Sequence, residues 1–343
     1  MNRLTFIGSI QLNSPSTGGG VQTKNQHFLR YILSKNVDCR VFDTWKKKSV
    51  LSLIMSLIYI VRTKRSEPII LSISTRGAYY IAKILNLTHL KRRIFYWVAG
   101  GDLAIDLKNV SLKNRRVYDE FTKVVVQCNY LKRDLEELSI TNCAMVPNFK
   151  PVIFKPTIDK AIFEKIRFVY FSRVLIQKGI EEIIQAFKSL GNKNICLDIY
   201  GTLVPPYDEG YFKDFYYLNI NYKGFLDVSV EDGYKQLSEY DVLLFPTYFK
   251  GEGFPGTLLD AFIAGVPVIA SDFHANGEVL VDGYNGLLIP PKDAVALSTA
   301  MNRLISDIDL RKKLRKNAIL TAREYDVEMI LDEAFARLKI FED

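Results

Sequence analysis

Two carboxylates in the second half of the sequence lie beside a glycine- and proline-rich loop that could bind an anion. Glu252 and Asp260 belong to the segment GEGFPGTLLDAFIAGVPVIASD, in which the loop follows an apolar strand pattern and opens a helix. Because the first backbone N–H groups of a helix have no partner within it, residues 255–258 could bind phosphate. The carboxylates would then hold sugar hydroxyls beside that phosphate. In the alternative interpretation, both carboxylates only cap the helix.

Two basic residues bracket a second loop at the end of another predicted strand. Arg173 and Lys178 lie in SRVLIQKG, between a strand and a helix. An arginine binds phosphate through paired hydrogen bonds and a lysine binds it as a point charge, so the two could neutralise a diphosphate without a metal. The alternative is a solvated loop, which is the commoner setting for an isolated Arg/Lys pair.

A third loop contains three consecutive glycines, Gly18–Gly20, between the first predicted strand and a helix. Glycines allow a backbone to approach a ligand closely, although a tight turn is the commoner reason for such a triplet. The loop does not match G-x-G-x-x-G, and this weighs against a nicotinamide-dependent oxidoreductase.

No residue pattern indicates a metal site. The four cysteines lie far apart, and the three histidines share no metal-ligand spacing. Asp307-Ile308-Asp309 has the form of a D-x-D motif, but it lies between two helical stretches and is better explained as a helix N-cap. Among the histidines, His274 follows a predicted strand and is a candidate for approaching the site.

Strand-length apolar runs alternate with helical patterns along the chain, which predicts an α/β protein with parallel sheets covered on both faces. The alternation stops at Val146–Pro151, a predicted linker, and then restarts. We therefore expect two doubly wound, Rossmann-like domains that face each other across a cleft, with ligands beyond the carboxyl ends of the strands. Residues 293–341 look helical throughout.

Charge is distributed unequally along the chain. Residues 1–150 contain 24 basic and 10 acidic residues, net +14, whereas the remainder contains 22 and 28, net −6. This asymmetry predicts an anionic partner for the first half, either nucleic acid or an anionic membrane surface. Basic clusters at 46–48 and 62–65 flank the largely apolar segment Val50–Val61. That segment could lie in a membrane interface or form a core helix with solvated ends.

The composition excludes several classes of protein. Hydrophobic residues make up 48% and charged residues 24% of the 343 residues, which excludes intrinsic disorder. The segment Val50–Val61 is too short to span a bilayer, and the first residues lack a signal-peptide pattern. Together with the scattered cysteines, these features predict a cytoplasmic protein.

These motifs together resemble the retaining glycosyltransferases of family 4, which have the GT-B fold. The hallmark of that family, two acidic residues separated by seven others, is present here as Glu252-x7-Asp260. The resemblance covers nearly all of residues 146–325 and includes SRVLIQKG, GEV at 277–279 and DGYNGLL at 282–288. In the first half it is looser and rests on GGGV at 18–21 and YWVAGG at 96–101.

The resemblance implies a retaining, metal-independent hexosyltransferase that uses a nucleotide-diphosphate sugar as substrate and needs no cofactor. Uridine is the expected base, by family frequency. Arg173 and Lys178 would hold the diphosphate and Glu252 would contact the donor sugar, so these three are the implied catalytic residues. The implied donor-binding residues match family motif positions in both halves and are Gly19, Gly20, Gly224, Phe225, Phe254, Pro255, Gly256, Thr257 and Asp260.

The resemblance also assigns a role to each domain. Residues 151–325 would bind the donor, whereas residues 1–150, joined by a C-terminal helix at 326–343, would bind the acceptor. The implied acceptor is lipid-linked or a saccharide, in the biosynthesis of a bacterial surface polysaccharide such as capsule or lipopolysaccharide. The basic first half would then associate peripherally with the anionic inner face of the cell membrane.

Two departures from the family pattern keep alternatives open. Asp260 stands where glutamate is commoner, so its carboxylate reaches one methylene less. Many members carry a histidine at the strand end that corresponds to Trp97–Asp102, and here Asp102 is a candidate substitute. A catalytically silent partner subunit is therefore one alternative. A nucleic-acid-binding protein is another, although the basic residues match no recognisable reading motif.

Overall fold

A computed structural model describes residues 3–11, 20–45, 49–158, 165–191 and 194–341 of the chain. Strands and helices alternate through these ranges, since parallel strands covered on both faces are built from continuous apolar runs. The strands are β1 Arg3–Gly8, β2 Asp38–Asp43, β3 Ile69–Ser72, β4 Ile94–Trp97, β5 Lys123–Val126, β6 Cys143–Met145, β7 Ile166–Phe171, β8 Ile195–Tyr200, β9 Ile220–Gly224, β10 Val242–Phe245, β11 Val268–Ser271 and β12 Gly286–Ile289.

The helices connect these strands. They are α1 Gly20–Ser34, α2 Ser49–Arg62, α3 Thr75–Thr88, α4 Leu103–Leu107, α5 Leu112–Arg115, α6 Asn129–Glu137, α7 Ile180–Leu190, α8 Glu209–Lys213, α9 Glu231–Ser238, α10 Gly256–Ile263, α11 Asn276–Val279, α12 Ala294–Ser306, α13 Ile308–Glu324 and α14 Val327–Arg337. Short 3₁₀ turns at Arg116–Glu120, Ile176–Lys178 and Tyr216–Leu218 complete the set within the described ranges.

The chain divides into two units, each built on one six-stranded sheet. The first unit contains Met1–Pro151, Gly251–Phe254 and Asp326–Asp343, and the second contains Val152–Lys250 and Pro255–Tyr325. The sequence predicts that residues 151–325 form one domain. The structure instead groups the four residues Gly251–Phe254 with the first unit, because their backbone packs against Gly101.

Both sheets are parallel throughout and doubly wound. The first has the order β2-β1-β3-β4-β5-β6, and the second has the order β12-β11-β10-β7-β8-β9. Read from its own first strand, the second sheet has the order 3-2-1-4-5-6 that is typical of dinucleotide-binding domains. Each sheet reverses its strand order beside its first strand, so the switch points lie between β1 and β3 and between β7 and β10. The predicted α/β class with two Rossmann-like sheets is confirmed.

The core of the first unit is built around the ring of Phe28 on α1. This ring lies 4.6 Å from Trp97, 5.8 Å from Phe149 and 5.9 Å from Phe335, measured between ring centroids. Tyr31, one helical turn further along α1, donates a hydrogen bond of 2.6 Å to Asp332. Helix α14 therefore packs on α1 and belongs to the first unit.

Several element predictions were wrong in detail. The sequence pattern near 111–121 also predicts one helix, but the structure divides it into α5 and a 3₁₀ turn. The uniform helix predicted over 293–341 is divided into α12, α13 and α14. Asp307 ends α12 and caps α13, accepting a hydrogen bond of 2.8 Å from the backbone N–H of Leu310. This geometry confirms the N-cap prediction for Asp307. Strand β6, of three residues, was not predicted.

Candidate functional site

The switch point of the second sheet brings two loops together. Strands β7 and β10 are neighbours, with Val242 opposite Phe168, so the segments that follow them leave the same edge of the sheet. The backbone N–H of Tyr248, after β10, donates a hydrogen bond of 2.7 Å to the carbonyl of Gln177, after β7. In doubly wound sheets this edge at the switch point is where ligands bind.

The side chains of Arg173 and Lys178 both lie near the ring of Phe249, beyond the ends of β7 and β10. The guanidinium carbon of Arg173 lies 5.7 Å from the ring centroid of Phe249, and Lys178 Nζ lies 5.5 Å from the same centroid. Lys178 Nζ is also 5.1 Å from the ring of Phe245. Arg173 is exposed, whereas Lys178 is only 5% exposed. The burial of Lys178 does not fit the alternative of a solvated loop, in which the lysine side chain would be exposed to water.

Two glycines allow this close approach. Gly179 has φ +80°, and a Cβ there would lie 2.3 Å from the carbonyl oxygen of Pro246. Gly201 has φ +144°, and a Cβ there would collide with the carbonyl of Ser172. Both positions combine a backbone conformation that favours glycine with contact to a neighbouring backbone. The loop that carries Arg173 and Lys178 is therefore fixed from two sides.

The start of α10 has fewer backbone N–H groups free to bind an anion than the sequence predicts. Pro255 is the N-cap residue, and no side chain caps the helix. Proline has no N–H, and the N–H of Leu258 donates a hydrogen bond of 3.1 Å to the carbonyl of Pro255. Within the described ranges, no backbone hydrogen bond takes up the N–H groups of Gly256 and Thr257. The predicted anion-binding set 255–258 is thus corrected to these two residues.

Asp260 lies inside the second unit, in the second turn of α10. It is 3% exposed and accepts a hydrogen bond of 2.9 Å from the hydroxyl of Tyr234 on α9. Burial, and after it the charge of Asp260, raises the pKa of Tyr234 well above its ordinary value. Since α10 has no side-chain cap, the interpretation of Asp260 as a capping residue does not hold.

Glu252 and Phe254 group with the first unit. A Cβ at Gly101 would lie 2.8 Å from both the carbonyl carbon and the carbonyl oxygen of Glu252, so the backbone of this segment rests directly on Gly101. The carbonyl of Phe254 accepts a hydrogen bond of 3.4 Å from Asn148. Asp102, next to Gly101, is exposed and begins α4 without capping it through its side chain. Glu252 itself is half-buried.

The remaining predicted site residues lie at or just beyond the ends of strands and at the start of α1. Gly224 ends β9 with φ +81° and has no atom near its Cβ position, and Phe225 beside it is 59% exposed. His274 follows β11 with φ 51°, and its ring lies 3.8 Å from that of Phe273. Gly20 begins α1 and is exposed. Gly19 lies outside the described residues.

Phe249 and Tyr234, which contact predicted site residues, were not themselves predicted, and neither was the buried Lys24 of the first unit. Lys24 is buried on α1, and its Nζ donates a hydrogen bond of 3.4 Å to the carbonyl of Val98. Burial lowers the pKa of Lys24 to about 7. The sequence signal for Lys24 was its place four residues before Phe28, on the apolar stripe of α1. Phe249 and Tyr234 carry no sequence signal, since both act through residues distant in the chain.

The described ranges contain no group of three or more His, Cys, Asp and Glu side chains arranged to hold a metal ion. In the same ranges, none of the helices combines the length and the apolar character needed to cross a bilayer.

Comparison with known proteins agrees with this architecture. Residues 156–321 match the family model of the glycosyl transferases group 1. The chain is 30% identical over 152 residues to the capsular polysaccharide biosynthesis glycosyltransferase CapM of Staphylococcus aureus, covering 43% of this chain and 39% of CapM. The chain spans less than half the length of the curated relatives that it matches first. The part of the chain at 156–321 is therefore similar to a glycosyltransferase domain.

Two solved structures show the fold. Sucrose-phosphate synthase from Thermosynechococcus elongatus superposes with a TM-score of 0.77 at 16% identity, covering 99% of both chains. Anabaena Alr3699/HepE in complex with UDP superposes with a TM-score of 0.72 at 14% identity, covering 99% of this chain and 100% of that one. These matches, with the two parallel six-stranded sheets, confirm the predicted GT-B fold.

Proposed function

We propose that this chain is a retaining glycosyltransferase that takes a sugar from a nucleotide-diphosphate donor. The observation that carries the proposal is the meeting of Arg173 and Lys178 at the ring of Phe249, at the switch point of the second sheet. This edge also receives the start of α10, where the N–H groups of Gly256 and Thr257 are available. The match of residues 156–321 to a glycosyltransferase family model supports the same function.

In this proposal the cations act on the leaving group. Negative charge develops on the departing diphosphate in the transition state, and Arg173, Lys178 and the start of α10 stabilise it. Two fixed cations would make a metal ion unnecessary, so we propose a metal-independent reaction without a separate cofactor. The acceptor hydroxyl attacks from the side of the leaving group, and the departing phosphate accepts its proton. No residue is proposed as a covalent nucleophile.

The other predicted residues contact the rest of the donor. We propose that Glu252 binds the transferred sugar and that Asp260 binds the ribose hydroxyls, held in place by Tyr234. We propose that Gly224 and Phe225 lie near the base of the donor nucleotide. We propose uridine, because the structurally similar HepE was solved with UDP. Gly19, Gly20, Phe254 and Pro255 complete the donor-binding set, and Asp102 and His274 are further candidates.

The acceptor and the cellular setting are further parts of the proposal. CapM is named for capsular polysaccharide biosynthesis, and by analogy we propose a saccharide or lipid-linked acceptor in surface polysaccharide assembly, such as capsule or lipopolysaccharide. The net charge of +14 on residues 1–150 supports peripheral association with an anionic membrane face on the cytoplasmic side.

A thermal-shift panel with UDP, GDP, ADP, CMP and NAD, without and with Mg²⁺, tests the function. A ligand at 100 times its dissociation constant stabilises the protein by about 2.7 kcal/mol, which raises the melting temperature by roughly 5–10 °C. We expect such a shift with one nucleoside diphosphate, equal in size without Mg²⁺. A flat panel, or a shift with NAD alone, would refute the proposal.

A further inference from the structure

Helix α2 has an unusual distribution of polar and apolar residues between its two faces. Ser56 is fully buried, while five large apolar side chains are between 43% and 67% exposed. These five side chains, which we call the α2 stripe, are Leu51, Ile54, Met55, Ile58 and Val61. Their spacing of three and four residues places them on one side of the helix. Burial of a serine beneath an exposed apolar stripe is the reverse of the usual pattern for a surface helix.

The inner face of α2 is firmly packed, so the exposure of the stripe does not come from a loosely attached helix. Ile60 is 2% exposed, and the hydroxyl of Ser56 donates a hydrogen bond of 2.7 Å to the carbonyl of Leu53. Arg92 donates hydrogen bonds of 2.7 Å to the carbonyl of Ile60 and 2.6 Å to that of Val61. The C-terminal end of α2 is therefore anchored to the rest of the first unit.

Positive charge lies beside the stripe. Arg62, Lys64 and Arg65 are exposed at the C-terminal end of α2, and within the described ranges their side chains make no ion pair. The nearest acidic residue in the sequence, Glu67, accepts hydrogen bonds from Thr5 and Tyr59 on the inner side. The sequence adds three lysines at 46–48, just before the helix. An apolar face bordered by cations is the pattern of a helix that lies in a membrane interface.

We propose that the α2 stripe docks this protein on an anionic lipid surface, with α2 parallel to the membrane plane. Its 14 residues, about 21 Å long, are too few to cross a bilayer. The alternative occupant, the same face of a second copy, would bring two basic clusters together and is opposed by like-charge repulsion. Docking itself does not depend on the proposed function. Only its suggested role, to bring the proposed site close to a lipid-linked acceptor, rests on that function.

Vesicle sedimentation with the full chain tests the inference. We expect binding to phosphatidylcholine vesicles that contain about 30% phosphatidylglycerol, weaker binding at about 1 M salt, and little binding to phosphatidylcholine alone. The variant I54Q/M55Q/I58Q should lower the bound fraction at least about tenfold. All three side chains are exposed, so folding should not change. The control V295Q/L320Q/M329Q replaces three exposed apolar residues on other helices and should bind like the wild type.

Trp45, just before α2, gives a second measurement. The chain has two tryptophans, and Trp97 is fully buried, so a change of emission on lipid binding reports on Trp45. We expect a blue shift with anionic vesicles in the wild type and in the control, and none in I54Q/M55Q/I58Q. Equal vesicle binding by wild type and I54Q/M55Q/I58Q would overturn the inference. A wild type that does not bind anionic vesicles would overturn it as well.

The oligomeric state and the binding of UDP are two further measurements that distinguish lipid docking from the alternatives. A wild type that is dimeric and does not bind vesicles, paired with a monomeric I54Q/M55Q/I58Q, would assign the stripe to a second copy instead and overturn the inference. UDP binding, measured in the same preparations, should be unchanged in all variants. Vesicle binding without nucleotide binding would refute the proposed function and leave the docking surface standing.

Discussion

At the scale of single residues, the proposed site contains two cations in unlike surroundings. Arg173 is exposed, whereas Lys178 is enclosed by the rings of Phe245 and Phe249. An enclosed ammonium acts in a medium of lower dielectric constant, so its attraction for a phosphate is screened less than that of an exposed group. Sequence alone predicted both residues but could not distinguish their environments, since the two rings lie at the end of β10 and in the loop after it, far along the chain from Lys178.

Replacement of either cation should slow sugar transfer strongly. We expect R173A and K178M each to lower turnover by about 10²–10³, because each removes a fixed positive charge from the leaving diphosphate. Methionine retains the apolar contacts of the lysine side chain. The assay is release of nucleoside diphosphate at saturating donor. K235A, an exposed lysine on α9, is the control and should keep wild-type turnover. Wild-type rates in both site variants would contradict the assignment.

Lys24 should make stability depend on pH. Its pKa is about 7 in the folded chain, against an ordinary value of 10.5, because burial disfavours the charged form. The unfolded chain therefore binds more protons between these two values, and stability rises with pH across that window. We expect K24M to raise the melting temperature at pH 6, where the cost of burying the charge is complete, and to have little effect at pH 10. Equal shifts at both pH values would exclude a buried charge as the cause.

At the scale of elements, the sequence predicted most of the strands but not the shortest elements, such as β6 and α8. Runs such as Val242–Phe245 are apolar throughout because both faces of the strand are covered, and this signal is local. The five-residue helix α8 is too short to show a helical period, although Asp208 caps it by accepting a hydrogen bond of 2.8 Å from the backbone N–H of Tyr211. The grouping of Gly251–Phe254 with the first unit depends on packing against Gly101, which no local pattern reveals.

The start of α7 should tolerate no side chain at Gly179. A Cβ there would require a left-handed backbone and would contact the carbonyl of Pro246 at 2.3 Å. We expect G179A to lower the free energy of unfolding by more than about 3 kcal/mol, through strain and displacement of the loop. Gly283 also has positive φ, +69°, but has no atom within 4 Å of its Cβ position. G283A should therefore cost only about 1–2 kcal/mol. Urea unfolding of the two variants compares them, and equal losses would contradict the contact argument.

At the scale of the whole molecule, the first unit is completed by residues from far along the sequence. Helix α14 contributes Phe335, which packs against both Phe28 and Tyr31. We expect F335A to destabilise the first unit by about 3–5 kcal/mol, because it opens a cavity in the core. M329A, an exposed residue of the same helix, should change stability by less than about 0.5 kcal/mol. Calorimetry should show the melting transition of the first unit at a lower temperature in F335A, and at the wild-type temperature in M329A.

The three-part composition of the first unit has a consequence for biosynthesis. Domains commonly fold in the order in which they leave the ribosome, the N-terminal one first. Here the first sheet is made early but lacks α14 until residues 327–337 have been made, whereas all of the second unit has been made by Tyr325. The first unit therefore cannot reach its native state until the second unit has been synthesised, and until then Phe28 lacks its contact with Phe335.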